Sequence, residues 1–200
     1  RMLAWGLRRL ERATYRTADH VISTNASYQA VAVARGRRTL SDTTIVRSGP
    51  DPEQMRPVPA RPELRHGRAH LLAYLGVMGP QDGVDLALRA MDVIVHELER
   101  TDVHLTLMGK GDCFDELRAL ARELNLEAYV DFTGRASDAL VAEVCSTADL
   151  GLSPDPCNPL NDVSTMNKTM EYMAFGLPVV AFDLVETRVS GGEAARYVPD

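Results

Sequence analysis

Asn167, Lys168 and Glu171 place an amide, an ammonium and a carboxylate within little more than one helical turn. Met166, Met170, Met173 and Ala174 recur around them at helical spacing and predict one apolar stripe. Gly176 falls where a helix takes its left-handed cap, and Pro178 forbids continuation. Val179–Phe182 then reads as a short buried strand. The polar trio is therefore expected near a helix N-terminus, where free amides and the helix dipole attract anions. A lysine there adds to an anion site, and a carboxylate one turn later can take sugar hydroxyls. The chemistry expected is recognition of a phosphorylated sugar compound, with Lys168 and Glu171 as its catalytic candidates.

The elements that must position these groups follow from apolar runs and helical periods. Strands are expected at 70–75, 103–108, 129–132, 148–152 and 178–182, with amphipathic helices at 83–98, 113–124, 137–146 and 165–175. This alternation predicts an α/β domain: a Rossmann-like parallel sheet with right-handed crossovers and helices on both faces. Such sheets bind ligands beyond the carboxyl ends of their strands. Gly76-Val-Met-Gly79 follows the first strand, Gly109-Lys-Gly111 the second and Gly134-Arg135 the third. A long loop, Ser153–Asp162, follows the fourth. Glycine lets backbone amides approach phosphate closely. Gly76, Gly79, Gly109, Gly134 and Arg135 are accordingly binding candidates, joined by Asp162, Ser164, Thr165 and Asn167 on the approach to the last helix. Turns at the opposite edge, such as Arg100–Asp102, are ordinary.

The front of the chain differs. Residues 2–17 predict an amphipathic helix with Leu3, Leu7 and Leu10 on one side and Arg8, Arg9, Arg12 and Arg16 elsewhere. Short strands are expected at 20–23 and 43–47, with a helix capped near Asn25 between them. Five prolines between Ser48 and Pro62 mark a semi-rigid connection. The expected organisation is a front unit at 1–50, a linker at 51–66 and a sheet domain at 67–200. The net charge of −6 divides into +6 over residues 1–50 and −12 beyond them, which argues against nucleic acid bound along the whole molecule.

No apolar run approaches the roughly 20 residues that span a bilayer. The chain starts at Arg1 without a signal peptide, as a chain cut from a longer one would. Three cysteines without a CxxC pair suggest reduced thiols in the cytoplasm. The basic front helix is a candidate for peripheral membrane contact, although an exposed arginine face is the simpler expectation. His70 and His104 lie on strand patterns and are expected to be packing or surface residues.

Competing phosphate motifs fail. Gly76–Gly83 is G-x-x-G-x-x-x-G and not the dinucleotide fingerprint, and no G-x-x-x-x-G-K-[ST] occurs. The chain instead resembles the C-terminal nucleotide-sugar domain, and the end of the N-terminal domain, of GT-B group 1 (family 4) retaining glycosyltransferases. The matching pieces are Gly76-x-x-Gly79 with Gly83-Val-Asp, Gly109-Lys-Gly111, Phe132-Thr-Gly134 and Ala148-Asp-Leu-Gly-Leu-Ser153-Pro. The most specific is Asn167-Lys-x-x-Glu171-Tyr-Met-Ala-x-Gly176-x-Pro-Val-Val-Ala181.

The resemblance implies a nucleotide-diphosphate sugar donor, its pyrophosphate near Gly76–Gly79, its ribose bonded by Glu171 and its base bordered by Gly134-Arg135. It implies retention, with no metal or cofactor required. The acceptor is unassigned, a lipid-linked one among the candidates. The family's paired glutamates are incomplete here, since Val163 stands eight positions before Glu171, with Asp162 next to it as the substitute. The positive residues of the family's first glycine loop are replaced by Val77 and Asp82, leaving Lys168 to supply that charge. The expected reaction is hexosyl transfer, with this fragment inactive alone. A non-catalytic nucleotide-sugar-binding module and a nucleotide-sugar epimerase on the same fold are the alternatives.

Overall fold

The computed structural model describes residues 2–199 and divides into two compact units. Arg1 and Asp200, the outermost residues of the expected domains, lie outside the described residues. One unit runs to Ser48 and also includes Val163–Thr165; the other holds Gly49–Asp162 and the chain from Met166 onward.

In the first unit, α1 (Met2–Thr17) precedes β1 (Val21–Ser23), α2 (Ala26–Gly36) and β2 (Thr43–Ile45), and the two strands pair in parallel. Asn25 is wholly buried and caps α2, its Oδ1 accepting from the Tyr28 amide at 2.7 Å. The same side chain donates to Val163 O at 2.9 Å and Thr165 Oγ1 at 3.0 Å. One asparagine thus ties a distant tripeptide to this unit.

The second unit is a six-stranded sheet. Its strands are β3 (His70–Leu75), β4 (Val103–Met108), β5 (Val130–Gly134), β6 (Leu150–Ser153), β7 (Val179–Phe182) and β8 (Ala195–Val198). Spatial order is β5-β4-β3-β6-β7-β8, and every pairing is parallel. The helices are α3 (Val84–Asp92), α4 (Phe114–Glu123), α5 (Asp138–Thr147), α6 (Asn167–Ala174) and α7 (Val185–Gly191). This is the expected Rossmann-like α/β sheet. The helix expected over 83–98 is α-helical only to Asp92; Val93–Glu97 forms one wider turn, closed by Leu98 N–H to Val93 O at 2.9 Å.

Two apolar layers enclose the sheet. Leu88, Met91, Leu105, Leu107 and Leu117 pack on one face, and Ala73, Met108, Val144, Tyr172, Val179 and Ala181 on the other. All six residues of β4 are buried, as befits a central parallel strand covered on both sides. Because side chains alternate along a strand, Val103, Leu105 and Leu107 enter the first layer while His104, Thr106 and Met108 face the second. Order reverses at β3: β4 lies on one side of it and β6 on the other. The crevice at the carboxyl ends of β3 and β6 is the switch point at which such sheets bind ligands.

Candidate functional site

Three glycines stack backbone to backbone at that edge. The amide of Gly76, just past β3, donates to Met108 O at 3.0 Å, and the amide of Gly109, just past β4, to Gly134 O at 2.8 Å. A Cβ on Gly109, whose φ is +143°, would stand 1.8 Å from Gly76 O. No side chain fits there, so the loops after β3 and β4 approach more closely than any other residue allows. A cleft of 640 Å³ opens beside them, lined by Gly76, Val77, Gly109, Arg135 and Glu171 among others.

Glu171 reaches the cleft from the middle of α6. Burial holds its carboxyl above the usual glutamate range, opposed by the positive charge of Lys168. The N-cap position of α6 is Met166, which supplies no side-chain acceptor, so the helix start lacks the usual side-chain cap.

Lys168 does not lie in the open. It is only 8% exposed, and its Nζ pairs with Asp155 Oδ1 at 2.6 Å, Asp155 being 1% exposed. Ser153 Oγ donates to the other Asp155 oxygen at 2.8 Å. The lysine stem passes beneath the first glycine loop, its Cε 3.1 Å from where a Gly76 Cβ would be. The ammonium also stands 5.2 Å from the centre of the Tyr74 ring, within cation–π range. A compensated charge is the form in which a buried lysine is tolerated.

The buried face of α6 consequently differs from the apolar stripe expected at Met166, Met170, Met173 and Ala174. Its buried residues are Lys168, Thr169 and Tyr172, and Met173 is exposed. Tyr172 fixes the helix against the sheet by accepting from the Leu75 amide at 2.7 Å and donating to Leu152 O at 3.1 Å. Those bonds satisfy β3 and β6 where their ladder ends. A polar face can bury here because the Lys168 ammonium and the Tyr172 hydroxyl both have partners.

The structure therefore brings Gly76, Gly109, Arg135 and Glu171 around one cleft, with Lys168 directly behind it and Gly134 in the same glycine stack. Asn167 is exposed in the first turn of α6. Other candidates lie elsewhere. Gly79 lines a separate hollow with Cys113 and Glu116, and its amide donates to Asp82 Oδ2 at 2.8 Å. Asp162 Oδ1 accepts from the Val185 amide at 3.0 Å, at the start of α7. Ser164 and Thr165 belong to the first unit, where they bond Tyr28 and Asn25. Sequence reasoning missed Asp155. Its signal was the run Ser153-Pro-Asp-Pro, in which two prolines stiffen the backbone around a single carboxylate.

The family model described as "Glycosyl transferases group 1" matches residues 69–200. An uncharacterized glycosyltransferase of Methanocaldococcus jannaschii is 30% identical over 110 residues, covering 55% of this chain and 26% of the relative. Among solved structures, Anabaena HepE in complex with UDP superposes with a TM-score of 0.69 at 20% identity, covering 92% of this chain and 51% of HepE. A glycosyltransferase from Rickettsia africae gives a TM-score of 0.75 at 13% identity, covering 94% of this chain and 52% of that one. Sucrose-phosphate synthase from Thermosynechococcus elongatus gives 0.71 at 22% identity, over 96% and 48%. The chain thus spans about half the length of these structural relatives and a quarter of the archaeal one. With the family model covering most of its length, the chain belongs to the group 1 glycosyltransferases, and its six-stranded unit carries their GT-B type of fold.

Proposed function

We propose that the chain is the donor-holding part of a retaining hexosyltransferase that uses a nucleotide-diphosphate sugar. The observation that carries this reading is the convergence of Gly76, Gly109, Arg135 and Glu171 on one cleft at the carboxyl edge of the sheet. HepE, which shares the fold, was crystallised with UDP and with UDP-glucose, and that supports a donor of this class.

In this reading the diphosphate rests against the loops that follow β3 and β4 and against the start of α6. Glu171 accepts the ribose hydroxyls, and Gly134-Arg135 borders the base. Lys168 acts from below, its charge shared with Asp155, and stabilises the departing diphosphate electrostatically as the glycosyl bond breaks. No metal takes part. Gly79, Asp162 and Asn167 stay in the proposal as outer donor contacts. Transfer to the acceptor requires the rest of a two-domain enzyme, and this chain alone binds nucleotide weakly and turns over no sugar.

The enzyme works in the cytoplasm, with α1 as a membrane-surface contact. Leu3, Trp5, Leu7 and Leu10 are exposed on that helix beside Arg8, Arg9 and Arg12. Among the described residues no helix is long and apolar enough to cross a membrane. Co-sedimentation with anionic but not neutral vesicles, lost on Trp5→Glu, is the expected outcome; equal binding to both contradicts it.

Calorimetric titration with UDP, GDP and ADP tests the donor site. One diphosphate binds, and Glu171→Ala or Arg135→Ala weakens it by about tenfold each, the worth of one hydrogen bond to a charged group. Unchanged affinity in both variants overturns the assignment. Lys168→Ala is a poorer probe, because it strands the buried Asp155 carboxylate and perturbs the fold along with the site.

A further inference from the structure

His104, on the second face of β4, is 2% exposed, and neither of its ring nitrogens has a hydrogen-bond partner among the described residues. A buried histidine with both nitrogens unsatisfied is costly and calls for an explanation. Its surroundings offer one. The ring stacks on His66 with centroids 4.2 Å apart and planes 23° from parallel. His66 Nε2 lies 2.7 Å from Asp131 Oδ2, and His104 Nε2 lies 3.3 Å from the same oxygen without hydrogen-bond geometry. One donor atom from each of the three residues falls within 4.8 Å of the others.

That spacing suits a single ion. A tetrahedral zinc with bonds of about 2.0 Å holds its ligand atoms about 3.3 Å apart. We propose that His66, His104 and Asp131 form a binding site for a divalent transition-metal ion, zinc above all, with water completing its coordination. The donor set of two imidazoles and a carboxylate is the type that selects zinc and its neighbours over calcium or magnesium.

The ligands come from three separate pieces of chain. His66 follows the short turn Pro62–Arg65 and adopts a left-handed conformation at φ +49°, which aims the chain back toward β3. His104 and Asp131 are each the second residue of their strands, β4 and β5. In the parallel register Thr106 pairs with Asp131, so His104 and Asp131 share a face as diagonal neighbours. The site therefore lies at the amino ends of the strands, the edge opposite the glycine cleft. A metal here has no part in the transfer reaction; it fastens the segment entering the sheet domain to the two strands beyond β3. The nearby cation, Arg68, is engaged elsewhere, stacking on Tyr129 at 4.1 Å and donating to Ala128 O at 2.8 Å and to Thr101 O.

The test is titration of the metal-stripped chain with Co²⁺, read by visible absorption, followed by displacement with Zn²⁺. One Co²⁺ per chain is expected, with the intense d–d bands of a four- or five-coordinate site that one equivalent of Zn²⁺ abolishes. Zinc also raises the melting temperature, by an amount that grows with the logarithm of free zinc above its Kd. His66→Ala and Asp131→Asn alter partly exposed side chains, so the fold is retained while zinc affinity falls at least tenfold. His96→Ala, remote from the cluster, leaves binding unchanged. Failure to bind zinc more tightly than about 100 μM, or equal affinity in wild type, His66→Ala and Asp131→Asn, overturns the proposal.

Discussion

The two edges of the six-stranded sheet are built on opposite principles. At the carboxyl edge, backbone is pressed against backbone at Gly76, Gly109 and Gly134, and a buried lysine faces a buried aspartate. At the amino edge the charges stay near water. Arg65 forks onto Asp149 at 2.6 and 2.8 Å, and Arg61 reaches Glu143 at 2.7 Å, all four side chains being at least one-quarter exposed. The difference shows where the fold tolerates cost. Surface ion pairs contribute little either way, whereas a desolvated pair and glycine-only contacts persist only where the surrounding structure enforces them. Conditions of that kind support the carboxyl edge as the edge proposed to hold the donor.

The contrast breaks most visibly at Asp155. Asp155→Ala leaves an uncompensated ammonium inside the sheet, and urea denaturation should show a loss of about 3–5 kcal/mol. The double change Asp155→Ala with Lys168→Met should recover most of it, since an apolar pair of similar volume is often as stable as a buried ion pair. Next in size is Gly109→Ala, where a methyl group meets the Gly76 carbonyl and the backbone must move; about 3 kcal/mol is expected in the same assay. At the amino edge Arg65→Ala should cost only about 1 kcal/mol despite losing several hydrogen bonds. A loss at Arg65 as large as at Asp155 would erase the distinction between the edges.

The smallest expected effect depends on pH. Burial raises the Glu171 carboxyl above its ordinary value of 4.5, so the folded chain holds that proton more tightly than the unfolded one. The glutamate's share of stability is full below pH 4.5 and is lost as pH rises through the raised value. Glu171→Gln, which has nothing to titrate, should therefore gain on wild type between about pH 4 and about pH 7, measured by denaturant midpoints. Stability gained at Glu171 by removing its charge, with nucleotide affinity lost, is the signature of a group kept for binding. An equal difference between variant and wild type at both pH values would contradict the burial argument.

Much of this architecture was legible in the residues. Apolar runs located β3 and β4, and the glycines following three strands located the closely packed loops of the carboxyl edge, because both signals are local. The Lys168–Asp155 pair was not legible, since nothing in helical period says that a lysine turns inward toward a carboxylate on another loop. The same blindness produced the methionine stripe: Met173 has the right spacing but lies outside, while Tyr172 packs beneath the sheet edge through two backbone bonds. Val163–Thr165 joins the first unit through Asn25 and Tyr28, more than a hundred positions earlier, and such a contact leaves no periodic trace. His104 gave only an alternating strand pattern; its neighbours His66 and Asp131 come together through topology alone.

Amide hydrogen exchange with and without UDP tests the central claim most directly, because it reads both edges in one experiment. Slowed exchange across the loops 76–79 and 109–111 and the first turn of α6, with the amino-edge segment Pro62–His70 unchanged, is the expected result. Protection confined to the amino edge, or none anywhere at saturating nucleotide, would contradict a diphosphate held by the glycine stack and the start of α6.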